Sequence, residues 1–402
     1  MTVSWKSALK YKDFRFLWAA TACQSVGFGM DNVALGWLVF ELTSSPFMVG
    51  LAAALRMVPL FVLGVLSGAI ADNVERRILL RFVTLAGGLI MVLLGELLIT
   101  GFESVWLVIF LATVAGASFA FLLTLRQSYT YDIVGPENSL SGLSMLQIGS
   151  TAGAILGSLL AGFLIEMVGA GWQFIVVGCT YFISFIVLFG ARSSGQSASR
   201  ISGSVRSNLI GYLSLLREYP ILLTLMCLAS ITEIFGFSHM SLIPVFAKEV
   251  LSVGSVGLGL LTSIRQLGGF IGLSALAAMG DFRKKGFLMF VIAICFGLGQ
   301  MAVFKADSVV LYGGLLLFLN ACAMSVDTLY KTLMQQNVPN ERRGTAMGSW
   351  VLSIGTGPVG HLGVGAIAGT YGAPFAMLFN GVFLSACGIG TALLLPKIRR
   401  LP

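Results

Sequence analysis

The sequence predicts an all-α polytopic membrane protein with twelve transmembrane helices in two six-helix, pseudo-symmetric halves. Three observations carry that prediction. The 402-residue chain is 57% hydrophobic and only 10% charged, with a mean hydropathy of +0.92, whereas soluble domains carry about 25% charged residues. Its apolar residues come in long uninterrupted runs, for example 104–125 and 286–304. Its basic residues cluster on alternate connections between those runs.

The runs are helices because backbone polar groups in lipid must bond within their own segment or within a closed barrel. A barrel would show roughly ten-residue alternating segments; this chain shows runs near the ~20 residues a helix needs to cross. The spans fall at 16–40, 46–71, 77–100, 104–126, 140–165, 171–190, 219–246, 255–279, 286–304, 308–331, 345–369 and 373–395. The first follows Lys6, Lys10, Lys12 and Arg15. It is too long for a signal-peptide core and has no clear small-residue cleavage site, so it reads as a retained span. Connections are short except 191–218, which includes Ser193, Ser194, Gly195, Gln196 and Ser197 and has linker composition. The chain divides into an N-terminal bundle (1–190), this linker (191–218) and a C-terminal bundle (219–402).

Of the 25 Lys and Arg residues, Arg56 and Arg265 fall inside spans and Lys248 and Lys305 on one set of loops; the remaining 21 fall on the other set, with the termini and the linker. The positive-inside rule places that side in the cytoplasm of an inner-membrane protein. The net charge of +8 is thus explained by orientation, and nucleic-acid binding is not expected. The 49 glycines suit close helix packing in a bilayer. The six cysteines lie within apolar runs without metal or disulfide spacing and read as buried small hydrophobes.

The halves repeat at an offset of 209 residues. Gly27 and Phe28 fall on Gly236 and Phe237, Leu42 on Leu251, Arg56 on Arg265, and Asp72 on Asp281. Parallel repeats related by an axis along the membrane normal are a transporter architecture, with substrate sites near the midplane.

The loop after span 2 carries Gly68, Asp72, Arg76 and Arg77, a glycine, an aspartate four residues on and then basic residues. The second half has a degenerate copy at 277–285 with Asp281, Arg283, Lys284 and Lys285. On these residues the chain resembles the major facilitator superfamily over essentially its whole length. Finer matches are the stretch 13–18, the stretch 36–46 from Gly36 to Pro46, Arg126 with Gln127, and the run Gly355, Gly357, Pro358 and Gly360. These look like bacterial exporters of the macrolide-efflux and enterobactin-exporter type. Span 5 departs from the drug-proton antiporter pattern: Gly149, Gly153 and Gly157 are present, but Ala154 stands where that pattern has proline.

Ionisable residues inside spans are costly and are functional candidates by default. Asp31 in span 1 and Glu233 in span 7 lie deep in their helices and are the proton-coupling candidates; the resemblance implies that both spans line a central cavity. Arg56 and Arg265 occupy equivalent places and read as gate or ion-pair residues, with Asp31 and Glu233 as possible partners. Asp327 and Lys331, four apart on span 10, read as an ion pair. Gly68, Asp72, Arg76, Arg77, Arg126 and Asp281 form a candidate conformational latch, with Arg126 as a partner for Asp72. Phe28, Trp37, Phe119, Phe235, Phe237 and Tyr330 fall on spans that the resemblance assigns to the cavity, or are packing residues. His239 and His361 read first as hydrogen-bonded packing residues.

No phosphate-binding glycine loop, nucleophile elbow or zinc set occurs in the sequence, so an enzyme is not expected. The expected function is secondary active transport: proton-coupled export of a small amphipathic molecule, drug-like or siderophore-like, by alternating access. Nutrient import or facilitation and lipid handling stay open within the same fold. A receptor is set aside, because the central linker is the longest non-membrane stretch. The expected partners are membrane lipid, a small-molecule substrate and protons, acting on a monomer. No cofactor is expected, the proton gradient being the energy source.

Overall fold

A computed structural model of the protein describes residues 7–194, 216–280, 283–339 and 342–401; over 61–73 and 344–345 only the helical backbone is described. Helices account for nearly all of it, and no strand occurs among the described residues. Six long helical segments precede residue 195. They are α1 (Lys12–Thr43), α2 (Pro46–Asn73), α3 (Arg76–Ile99) and a continuous run Val105–Val187 that breaks at two glycines. Gly135 (φ 72°) and Gly169 (φ 82°) adopt left-handed backbone unavailable to most residues. They divide the run into α4 (105–134), α5 (136–168) and α6 (170–187), with Pro136 opening α5 where its missing N–H costs nothing.

The remaining segments are α7 (Pro220–Val250), α8 (Gly254–Ala278), α9 (Lys285–Val303), α10 (Val309–Gln336), α11 (343–371) and α12 (Ala373–Leu394). Among the described residues, eight helices, with Val105–Gly190 taken as one, are long and apolar enough to cross a membrane. The expected break at 127–139 is shorter than predicted: α4 runs on to residue 134 because Arg126, Tyr129, Thr130 and Asp132 find partners beside it. The cysteine expectation is corrected. All six are free, but only Cys322 is buried, while Cys179 and Cys227 are exposed at the helix surface.

Two compact units are distinguished by their internal packing. One comprises Met1–Ser44, Leu55–Arg200 and Val253–Ser263, the other Ser45–Ala54, Ile201–Ser252 and Ile264–Pro402. In the first, α5 lies directly on α1. A Cβ on Gly153 would stand 2.5 Å from the Ala22 carbonyl oxygen, and one on Gly157 would run into the Val26 carbonyl. The three span-5 glycines therefore work as a packing stripe even without the proline. The first unit also holds the start of α8 against α5: a Cβ on Gly162 would lie 2.6 Å from the Ser255 carbonyl, and one on Gly259 2.6 Å from that of Ser158. The second unit holds the start of α2 against α11, where Gly50 abuts the His361 carbonyl and Gly365 abuts that of Pro46. Gly50 and Gly259 are themselves 209 residues apart. The tight turns before α2 and α8 agree too, Ser44 (φ 49°) and Ser252 (φ 52°) both being left-handed.

Gly157→Ala is expected to destabilise the purified protein by about 1–3 kcal/mol through overpacking. Gly369→Ala, at a position with no atom within 4 Å of the added carbon, is expected to leave the unfolding midpoint unchanged or raise it, since alanine favours helix. Thermal unfolding in detergent checks the pair, and equal midpoints contradict the packing account.

Candidate functional site

Asp31 is the single charged residue between Arg15 and Glu41, and only 4% of its surface is exposed. Arg56 of α2 forms an ion pair with it, Nη2 donating to Oδ2. The guanidinium also lies 5.6 Å above the Phe28 ring, which stacks on Phe119 of α4 with centroids 4.5 Å apart and planes 9° from parallel. Gly116 of α4 lets the Arg56 backbone approach so closely that a Cβ there would meet its carbonyl. One neutralised charge pair thus draws α1, α2 and α4 together. A buried pair of this kind resists removal of one partner, because the other charge is left stranded.

Two turns earlier, on the same face of α1, Gln24 accepts a hydrogen bond from Arg126 Nη2. Arg126, the candidate partner of Asp72, is held by this amide. The side chains of Gly68 and Asp72, and all of Asp281, lie outside the described residues. The rest of the candidate latch is anchored inside the first unit. Arg76 Nη1 donates to both carboxylate oxygens of Asp132 at 2.8 Å. Arg77 pairs with Glu75 at 2.5 Å and donates to the Arg192 carbonyl at 2.6 Å. Arg81 donates to the Leu188 and Ala191 carbonyls, each at 2.9 Å, while its guanidinium covers Phe189. Basic side chains at carbonyls left open by a helix end are a favourable arrangement, and here they fix the exit of α6.

In the second unit α7 is not a regular helix. After Ile231 it passes through a π turn (Thr232–Gly236) and a 3-10 turn (Phe237–Leu242), and a second π turn (Phe246–Val250) ends it. The irregularity leaves the Gly236 carbonyl accepting from the Gln300 amide at 3.0 Å and from His239 Nδ1 at 2.7 Å. Glu233 sits in the first π turn, 9% exposed. It has no ion-pair partner among the described residues; the charges acting on it are Asp327 and Lys331 of α10. These two form the expected pair at 2.7 Å. Trp350 of α11 clamps them, its Nε1 donating to Asp327 at 2.6 Å and its ring lying 4.1 Å from the Lys331 ammonium. Beside Glu233, the Thr232 and Tyr330 hydroxyls are 3.0 Å apart.

Arg265 does not pair with Glu233, contrary to one of the two partnerships weighed for it. Its Nη1 donates to Asn320 Oδ1 at 3.1 Å and lies 3.5 Å from Met240 Sδ. The histidines are hydrogen-bonded within the fold, His361 Nδ1 lying 2.6 Å from Ser241 Oγ. Of the candidate cavity aromatics, Phe235 stacks on Phe383, Phe237 meets Phe296 edge-on, Tyr330 lines a small cavity together with Thr232, and Trp37 is buried in the first unit. Sequence reasoning missed Gln24, Asp132, Asn320 and Trp350. Asn320 and Gln24 were visible as amides inside spans, but Trp350 and Asp132 had no signal beyond their neighbours.

A largely helical chain with many helices long and apolar enough to cross a membrane, a buried Asp31–Arg56 pair and, among the described residues, no cluster of metal-ligating groups fits a multi-pass transporter. The family model for the Major Facilitator Superfamily matches residues 17–360, and the chain belongs to that superfamily of transporters, which are not enzymes. It is 25% identical over 389 residues to the enterobactin exporter EntS of Shigella flexneri, covering 92% of this chain and 90% of that one. It is 22% identical over 364 residues to the staphyloferrin A transporter of Staphylococcus aureus, covering 89% and 90%. Among solved structures, the nucleoside transporter NupG (D323A mutant) aligns with TM-score 0.79 at 13% identity over 95% of this chain and 100% of that one. A D-xylose-proton symporter aligns with TM-score 0.75 at 14% identity over 96% and 98%.

Removing the Asp31 charge alone strands Arg56. Asp31→Asn is therefore expected to cost about 3–5 kcal/mol, and the double variant Asp31→Asn/Arg56→Gln less than that. Unfolding of the four proteins of this cycle checks the pairing, and a double variant less stable than Asp31→Asn rules it out.

Proposed function

We propose that the protein is a proton-coupled exporter of small amphipathic, siderophore-like molecules that works by alternating access. Glu233 is the principal proton-coupling residue. The observation that carries this reading is the contrast between the two buried acids. Asp31 is already neutralised by Arg56, whereas Glu233 sits in an irregular turn of α7 with no ion-pair partner among the described residues. A carboxylate is expensive to keep charged in a membrane interior. It can trade its charge for a proton as access alternates, and the neighbouring Asp327–Lys331 pair responds to that change. Asp31 then serves to hold Arg56 in place and contributes to coupling through it.

The relatives support the substrate class: one is described as an enterobactin exporter and the other as a staphyloferrin A transporter. Irregular α7 supports the placement of the site, since transporter folds build substrate and ion sites on interrupted helices. The six-plus-six division at 191–218, the cytoplasmic placement of both termini and function as a monomer complete the proposal. The basic residues on alternate connections support the orientation. The small-residue crossings that start α2 and α8 suit elements that part and reform, because they hold by close contact without interlocking large side chains.

Proteoliposomes with an imposed pH gradient, loaded in turn with enterobactin and staphyloferrin A, test the reading. The wild type is expected to move at least one of them against its gradient, in exchange for protons. Glu233→Gln is expected to fold, to keep gradient-free exchange of solute, and to lose the response to the pH gradient. Asp31→Asn is expected to weaken that response. Unchanged pH-driven transport in both variants sinks the coupling assignment, and solute movement in the same direction as protons reverses the export assignment. Fusing a periplasm-active and a cytoplasm-active reporter at the C-terminus, with activity expected only from the latter, checks the orientation.

A further inference from the structure

The two halves treat their equivalent arginines differently. Arg56 and Arg265 are 209 residues apart, and so are Asp31 and Met240. Each arginine reaches back to the residue 25 positions before it in the chain: Arg56 to the Asp31 carboxylate, Arg265 to the Met240 thioether. The geometry is kept and the counter-charge is gone. Among the described residues Arg265 makes one other hydrogen bond, to the neutral Asn320 amide, and its buried Nε has no hydrogen-bond partner there. No carboxylate meets it among the described residues. The charged or titratable groups within its electrostatic reach are His239 and Tyr312, both buried.

His239 adds a second unfilled position. A carbonyl only accepts, so Nδ1 must donate to Gly236, and the neutral ring then presents Nε2 as an acceptor. That Nε2 is buried and has no hydrogen-bond partner among the described residues. An unneutralised guanidinium is expensive inside a membrane protein and is retained where it meets an anion. Its planar fork of donors matches a carboxylate or other paired oxygens.

We infer that Arg265, Asn320 and His239 form a subsite for an anionic oxygen group of the transported molecule, a carboxylate or ionised catechol. Arg265 supplies the counter-charge through Nε and Nη, and Asn320 holds the guanidinium in place. His239 Nε2 accepts from a hydroxyl next to the anionic oxygen. The neutral Met240 side chain stands where the first half has Asp31, so the bound anion takes the counter-charge role that Asp31 has for Arg56. This rests on the chain being a transporter and adds that its substrates are anions.

The test is isothermal titration of the full chain in nanodiscs with benzoate, 2,3-dihydroxybenzoate and citrate, each against its neutral ester. The wild type is expected to bind the acids about ten-fold or more tightly than the esters, the worth of a charge-assisted hydrogen bond. Arg265→Gln is expected to erase that preference and Arg265→Lys to keep part of it. Met240→Asp is the decisive variant. It installs the missing counter-ion, is expected to unfold at or above the wild-type temperature, and is expected to abolish acid binding while sparing the esters. An acid preference that survives in Arg265→Gln or Met240→Asp overturns the subsite, as does a wild type that binds acids and esters alike or binds no acid. Vesicle transport reports on the export reading separately. Solutes that move without acid preference leave that reading standing without the subsite. A clear binding preference with no transport retains the subsite and removes the exporter.

Discussion

A charge inside a bilayer has to be neutralised, and the Asp31–Arg56 pair is the contact around which the first unit is arranged. Its carboxylate comes from α1 and its guanidinium from α2, while α4 supplies the platform on which the arginine rests. Phe119 stacks beneath Phe28, and Gly116 gives up a side chain so that the Arg56 backbone can come close. None of these parts is explained without the others. The glycine matters because the arginine must reach its acid, and the aromatic stack matters because a desolvated guanidinium gains from a ring face. The pair contributes little net energy over apolar packing, but it fixes how three helices meet.

The same constraint, applied to the second unit, produces a different answer. There the acid has moved from the position of Asp31 to Glu233, seven residues earlier in the repeat frame (233 against 240), and the arginine has kept its place. The helix that carries the acid has also lost regularity, passing from α to π to 3-10 geometry within about a dozen residues. The freed Gly236 carbonyl is taken by Gln300 and His239, so the irregularity is satisfied rather than strained. The first unit is thus built to hold its charge pair, while the second, beside its Asp327–Lys331 pair, contains two charges, Glu233 and Arg265, that meet no opposite charge in an ion pair among the described residues. An element that binds and releases has to belong to the second kind, because a group already satisfied by the protein has little to gain from a ligand.

Much of this was legible in the sequence, and the boundary is physical. Helix positions followed from run length, and repeat positions from rare residues at one offset. The Asp327–Lys331 pair followed from i,i+4 spacing. Span-scale hydropathy cannot tell where a helix continues beyond the bilayer, so the extension of α4 through Asp132 was lost until Arg76 was seen on it. Partnership between distant segments was likewise hidden. The hydrogen bond of Arg126 to Gln24 had no signal in the spacing, and nothing in the chain announces that Trp350 will cover Lys331. The cysteines show the same limit from the other side: an apolar run has two faces, and composition alone does not say which face a residue takes.

The absence of a carboxylate at Met240 was, by contrast, written in the sequence from the start. The 209-residue offset places Met240 opposite Asp31. What the sequence could not supply was the meaning of the exchange, since a missing acid is informative only if the arginine still points to where the acid would be. The structure supplies that. Arg265 Nη1 approaches the Met240 sulfur as Arg56 approaches Asp31, so the second half keeps the reach of the arginine and replaces the acid with a neutral group. Divergence between repeats that keeps a geometry and removes a charge is hard to attribute to packing, because a methionine partner leaves the desolvation of the arginine uncompensated. The cost is met when the chain's cargo brings the missing charge.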